Sequence, residues 1–589
     1  MTRSTMDKQP GRIDRWTLLG VALFFVVCWC WFFFVAPYTL YTKEQLTLWV
    51  ADRAAWLAVF ERPAWLTVLL GDFLTQFYMV IGGGATLLTL VLLLLWRGGV
   101  SLLRRMGAGR NAAWIWALLP TAAEWALNCH VEYPLAMTLG AAAAMWTAAG
   151  WARIGNAAWR LVAALVLTVV VYLLVGAHYL LFTVAAAAVL VSKREWWQAI
   201  IVVAVAAAVP VLLHSCFLLT AEQALFYPLI EGYMLQNMWC YLATEAALLV
   251  AILFGAAVVR LKAWIGYAVT AAALAGMLWT GFDARTEYML RMSSEAYFNR
   301  WDRVLAAADR NWDYKSYVGS YYTDLALARE GRLGDELMKY YQPASNALLL
   351  AINEKSGYIY AMAGCDAQIE MGDLAQAQHT AMLAMTFTPR QRSSRVARRL
   401  AEIAIIAGDY ELADKFLRQL EYGLFHRRWA AERRRLLADE ELLSAQPEVA
   451  VKRSLLSRSD TLFSPNDWFR SLYNLLESNP SNRMARDYLM CYHLLNKDMR
   501  RFKADYDRYC FADAARAGIP KYYEQALVMC LGAEPDAVEQ YVRYGVSEAT
   551  YAECLDYLAA YERAGGDGRQ LMERFGDSYW FYYYYAQIK

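Results

Sequence analysis

Seven ionisable side chains, Asp72, Glu124, His130, Glu132, His178, His214 and Glu245, are set in a first half that is otherwise almost unbroken hydrocarbon. A charge buried in a membrane span costs about 3 kcal/mol on insertion scales and marks a functional site by default. Glu124 and Glu245, flanked by TAA-WAL and LAT-AAL, are the hardest to read as structural. Asp72, Glu132 and His178 lie where a side chain reaches the interface cheaply. The loop after the first apolar stretch adds Glu44 and Asp52. Carboxylates in this setting have the chemistry of a general base, which takes the proton from an acceptor hydroxyl. The candidate catalytic set is therefore Glu44, Asp52, Glu124 and Glu245, expected to line one water-filled cavity with His130 or His214 nearby. No nucleophile elbow or phosphate loop accompanies them. His130 and Glu132, two residues apart, make a weak metal pair, so neither metal nor cofactor is specified.

The elements that must position these groups follow from a mid-chain change of solvent. Only 17 of the 57 Lys/Arg and 12 of the 55 Asp/Glu precede residue 282. Residues 1–281 read as a transmembrane domain, and residues 282–589 as a charged, tyrosine-rich helical domain. A span needs roughly 20 apolar residues. Nine stretches approach that length: 16–40, 70–96, 112–129, 133–151, 158–175, 177–192, 196–218, 240–259 and 263–281. The fifth and sixth are separated only by Gly176–Tyr179. The first is about 25 residues long and lacks a small-x-small cleavage site, so it reads as a retained helix rather than a signal peptide.

Positive charge orients the array. Lys and Arg cluster before the first stretch and after every second one, at 97–110, 153–160, 193–194 and 260–262. Across nine spans this puts the N-terminus in the cytoplasm and the helical domain outside. In a bacterium that is an inner-membrane protein with a periplasmic C-terminal domain. The first outer loop, YTKEQLTLWVADRAAWLAVFER, has the pattern of an interfacial amphipathic helix. The near-neutral charge of +2 offers no face for nucleic acid. The ten cysteines include no CxxC and read as separate thiols.

The second half carries helix punctuation and repeats. GDLAQAQHTAMLAMTFTP (372–389) has a Gly-Asp turn, small residues at Ala377 and Ala384, and a Pro stop. AGDYELADKFLRQL repeats it, with Gly408-Asp409 lying 36 residues after the first turn, near the roughly 34-residue period of tetratricopeptide repeats. Such helix pairs stack because one pair cannot bury its apolar face alone. The expected fold is thus all-α: a bundle of about nine transmembrane helices followed by a tetratricopeptide-like α-solenoid. The closing DSYWFYYYYAQIK is expected to pack on the last repeat as a cap, with contact at the membrane surface as the alternative.

The layout of the first 281 residues resembles the GT-C glycosyltransferases, some of which end in a tetratricopeptide domain. That resemblance implies a lipid-linked sugar donor and an acid of the first outer loop as base or metal ligand. Glu44 and Asp52 stand where that acid would be. The stretches FLTQFYMV, SNPSNRMARDYL and SYWFYYYYA also resemble an uncharacterised bacterial family of membrane proteins with repeats, which implies no activity.

Two functions of different class follow. One is transfer of a glycosyl group from a lipid-linked donor to an acceptor held in the solenoid groove. The other is a scaffold in which the spans anchor and the groove recruits envelope proteins. The partners implied are membrane lipid, a lipid-linked sugar and a protein. A transporter would place charged or broken-helix sites near the midplane, whereas these acids lie toward one face.

Overall fold

The computed structural model describes residues 13–229, 263–310, 314–350, 352, 356–457, 462–463, 469–512, 518–532 and 534–587. Every regular element among them is helical. The chain divides into two compact units. The first is Met1–Ala284 with Thr388–Arg395 and Arg418–Ala431; the second takes the remainder.

In the first unit the helices are α1 (Arg15–Cys30, extended by a π-helical turn Trp31–Val35), α2 (Pro37–Gln45), α3 (Arg53–Val59), α4 (Trp65–Thr75), α5 (Gly83–Arg105), α6 (Arg110–Trp116), α7 (Leu118–Asn128), α8 (Leu135–Trp151), α9 (Ala157–Val175), α10 (Tyr179–Ser192), α11 (Trp196–Leu213), α12 (Ala221–Phe226) and α13 (Ala263–Gly281). Small residues let them approach. A Cβ on Gly98 would stand 3.1 Å from Met145, and one on Gly71 would stand 2.8 Å from the Ala136 backbone. Ala141, Ala142, Ala144, Ala148 and Ala149 of α8 are all buried. This is the packing of helices that cannot rely on hydrophobic exclusion between them.

Nine spans are not what the described residues form. Four stretches are long and apolar enough to cross a membrane, Arg15–Val35, Gly83–Arg105, Ala157–Ser192 and Trp196–Leu213. A fifth is reached if α13 and the helix that follows it count as one. The stretch 70–96 is interrupted by a tight turn at Gln76–Met79 and by Gly82, whose φ is +73°. The stretch 112–129 is two helices of 7 and 11 residues, and 133–151 holds a helix of 17. The stretch 240–259 lies outside the described residues. A hydropathy sum counts apolar side chains and is blind to a break in the backbone ladder.

Ala157–Ser192 is itself a hairpin. Arg160 pairs with Glu195, two residues that one continuous helix would hold roughly 50 Å apart. The reversal is at Gly176, with φ +76° and ψ −140°, a region open almost only to glycine. So α9 and α10 are separate antiparallel helices. The hairpin and its neighbours give the unit two distinct ends. At one, Trp151 Nε1 donates to the Arg160 carbonyl at 2.9 Å and the Asp14 amide to Asn111 Oδ1 at 3.3 Å. At the other, the Ala177 amide donates to the Tyr227 carbonyl at 2.8 Å and Tyr172 to Ala224 at 2.9 Å.

The second unit keeps both Gly-Asp turns. Gly372, at φ +86°, ends the helix Gly357–Met371, and Asp373 caps Leu374–Thr386 through the Gln376 amide at 3.3 Å. Gly408, at φ +82°, and Asp409 do the same before Tyr410–Glu421. Ala377, Ala384 and Ala413 are fully buried. The solenoid expectation is met only as helix pairs. The segments after Leu374–Thr386 and at the end of Tyr410–Glu421 belong to the first unit, which breaks the repeat after each pair. Buried polar groups brace this unit: Arg399 donates to Asp366 at 2.9 Å and Tyr322 to the same carboxylate at 3.0 Å. The terminal aromatics form a helix, Tyr579–Tyr585, with Tyr579, Trp580 and Tyr582 buried. All nine described cysteines are free.

A Cβ at Gly176 would stand 2.5 Å from the Tyr227 carbonyl oxygen. Gly176→Ala is therefore expected to destabilise the protein by about 1–3 kcal/mol, read as a lowered thermal midpoint in detergent. Gly150→Ala, where a Cβ meets nothing within 4 Å, is expected to leave that midpoint unchanged or raised.

Candidate functional site

The buried charges gather around the last turn of α2. Pro37 starts this helix, as suits a first-turn position. Its closing residues Lys43, Glu44 and Gln45 are all buried, at 4%, 2% and 1% exposure. Three consecutive helical residues point in three directions, so each must find its own partner.

Lys43 reaches the C-terminus of α7. Its Nζ donates to the Asn128 carbonyl at 2.8 Å and lies 3.4 Å from Asn128 Oδ1. A cation there meets the negative end of the helix dipole. Burial pushes the Lys43 ammonium down to about 7, against the pull of Cys129, Glu132 and Glu124. Asn128 in turn donates to the Glu124 carbonyl and to Thr138 Oγ1, both at 2.8 Å, and so links α7 to α8. The Glu124 side chain is fully buried; its Oε1 accepts from Tyr133 at 2.9 Å and stands 3.4 Å from His178 Nε2.

Glu44 turns the other way. Its Oε1 lies 3.0 Å from His426 Nε2. The segment 388–395 covers the same turn: Ser393 donates to the Gln45 carbonyl at 2.6 Å, Ser394 to the Glu44 carbonyl at 3.3 Å, and Arg395 to Gln45 Oε1 at 3.0 Å. On α4 and the turn after it, Asp72 accepts from Arg390 at 2.6 Å and Gln76 Oε1 from the Leu424 amide at 2.8 Å. Phe77 packs edge-on against Phe425 at 5.6 Å. Both returning segments are thus held at the ends of α2 and α4.

The candidate acids therefore separate. Glu44 and Glu124 lie on either side of Lys43, but Glu44 is committed to His426 and Glu124 to Tyr133 and His178. Asp52 is half-exposed and caps α3 through the Ala54 amide at 3.1 Å. Glu245 lies outside the described residues. His130, pushed down by burial, feels both Glu132 and Lys43. His214 is 3.1 Å from the Leu219 carbonyl, in the turn that ends α11. Among the described residues no three His, Cys, Asp or Glu side chains could hold a metal ion. A cleft of about 60 Å³ beside α2 is lined by Phe32, Phe33, Leu40 and Tyr78 and excludes Lys43 and Glu44.

Sequence reasoning missed Lys43, Asn128, Tyr133, Gln45, Gln76, Arg390 and His426. Lys43 carried a signal, since a lysine beside a glutamate closes a short run of Thr and Tyr after an apolar stretch. Arg390 and His426 carried only their place between helices, in TPRQRSSR and YGLFHRRW.

Membrane-length apolar helices, a polar end closed by internal pairs and a separate helical unit define a two-unit, all-helical protein of membrane type. The chain belongs to a family of unknown function, DUF6057, whose model matches residues 12–586. Nothing matches it among curated proteins or solved structures.

Two outcomes test the site. His426→Ala strands a buried carboxylate and is expected to cost roughly 3 kcal/mol, read as a lowered thermal midpoint. Lys43 releases its proton near pH 7 in the folded protein and near 10.5 unfolded. The unfolded state therefore binds more protons across that window, and this group makes stability rise with pH by up to about 1.4 kcal/mol per unit. Lys43→Met is expected to flatten the thermal midpoint between pH 7 and 10.

Proposed function

We propose that this protein is a membrane-anchored helical scaffold, in which the first unit anchors and the second binds a protein partner. The observation that carries this reading is the commitment of the buried charges. Glu44 is held by His426, Asp72 by Arg390, Lys43 by Asn128, and Glu124 by Tyr133 and His178. A general base must touch the hydroxyl it deprotonates. Glu44 and Glu124, at 2% and 0% exposure, are turned toward partners inside the unit, which favours a structural role. The exposed acid, Asp52, is used as a helix cap.

A surface in the second unit supports recruitment. Val538 and Val542 on the helix Ala537–Tyr544, and Tyr551, Leu555 and Leu558 on Glu548–Arg563, are exposed at helical spacing. Contiguous apolar rows of this kind mark protein-contact surfaces. The distribution of charge supports an inner-membrane location with the N-terminus in the cytoplasm and the second unit in the periplasm: Arg104, Arg105, Arg153, Lys193 and Arg194 share one end of the first unit, and the buried acids lie toward the other.

The second reading is a transferase like the GT-C enzymes, acting on a lipid-linked sugar. Glu44 Oε2 and Glu124 Oε2 favour it, each being buried without a hydrogen bond, together with the perturbed Lys43. The helix pairs of the second unit would then hold the acceptor.

The two readings differ in outcome. For a scaffold, Glu124→Gln and Asp52→Asn leave the cellular phenotype intact, whereas Val542→Asp with Leu555→Asp abolishes it and removes one cross-linked partner. Loss of phenotype in Glu124→Gln at normal membrane level would instead favour the transferase. An alkaline phosphatase fused after residue 300 is expected to be active.

A further inference from the structure

We propose that the basic end of the first unit is a binding face for anionic phospholipid headgroups. The inference rests on the reading of that unit as membrane-embedded and adds a specific lipid partner to it.

The contacts that define this end also gather its cations. The start of α1 meets α6 through Asp14 and Asn111, the end of α8 meets the start of α9 through Trp151 and Arg160, and Tyr267 of α13 donates to the Thr17 carbonyl of α1 at 3.1 Å. Arg104 and Arg105 close α5, Arg153 follows α8, and Lys193 and Arg194 follow α10; all five are exposed. Glu195 is taken by the buried Arg160. Exposed cations gathered at one end of a helical bundle attract anions.

A collar of exposed tryptophans, Trp16, Trp159, Trp196, Trp197 and Trp264, rings the same end. Tryptophan in this position sits at headgroup depth. Helix α9 begins in the collar, and its 19 residues rise about 28 Å, close to the hydrocarbon thickness of a bilayer. The cations therefore stand at the level of the phosphates. Charge complementarity selects an anionic headgroup over a zwitterionic one, and the collar selects a lipid over a soluble anion.

The test uses the full chain in nanodiscs with equal phosphatidylglycerol and phosphatidylcholine. After detergent washing, the lipids that remain bound are counted by mass spectrometry. Phosphatidylglycerol is expected to be retained several-fold in excess. The variant Arg153→Gln, Lys193→Gln, Arg194→Gln is expected to bring the ratio near parity, since each cation at an anionic surface is worth about a fivefold change in partition. Equal retention by the wild type, or an unchanged preference in the variant, overturns the proposal. A second measurement needs no variant: phosphatidylglycerol should raise the wild-type thermal midpoint in detergent where inorganic phosphate does not. An equal rise with phosphate overturns it. Release of the protein from membranes by alkaline carbonate would instead defeat the membrane reading itself, a result distinct from equal lipid retention.

Discussion

A charge taken out of water must be met by a partner, and the polar end of the first unit is organised around that requirement. Removing one member of a buried pair costs several kcal/mol, so Lys43, Glu44, Asp72 and Glu124 cannot be left alone. Two of the four groups are met within the bundle: Lys43 by Asn128, and Glu124 by Tyr133 and His178. The partners of the other two, His426 and Arg390, come from more than 300 residues along the chain. The pairs made by Glu44 and Asp72 are among the contacts that join the segments 388–395 and 418–431 to the first unit.

That placement shapes the second unit as well. A tetratricopeptide array grows by adding one helix pair directly to the last. Here the chain leaves the second unit after Leu374–Thr386 and again at the end of Tyr410–Glu421. Each helix pair keeps its own glycine turn and its buried alanines, so the local rules of the motif hold. Continuity of the array does not, because the connecting segments are used elsewhere. Buried pairs such as Arg399 with Asp366 then hold neighbouring helices that repeat stacking alone would not.

The same pairing encloses the carboxylates of the polar layer. In this protein the carboxylates are oriented by being enclosed. Their second oxygens, on Glu44 and Glu124, are left without hydrogen bonds. Through Glu44 that arrangement also joins distant parts of the chain.

From sequence alone, the change of solvent near residue 282, the all-helical character, the Gly372 and Gly408 turns and the burial of Ala377 and Ala413 were all legible. Each depends on residue type and local spacing, which are one-dimensional properties. The separation of α9 from α10 was legible only as a glycine between two apolar runs; the Arg160–Glu195 pair decided it. The number of membrane-length helices was not legible, because breaks at Gln76–Gly82 and Ala117 leave the hydropathy untouched. The site was half legible. Glu44 and Glu124 stood out as charges in apolar sequence and Asp52 by its place in the first outer loop; that Asp52 caps α3 is added by the structure. That His426 and Arg390 complete the site depends on contacts spanning hundreds of residues, and no local pattern encodes such pairings. Tertiary structure decided them because the cost of a buried charge is set by what surrounds it in space, wherever in the chain that neighbour lies.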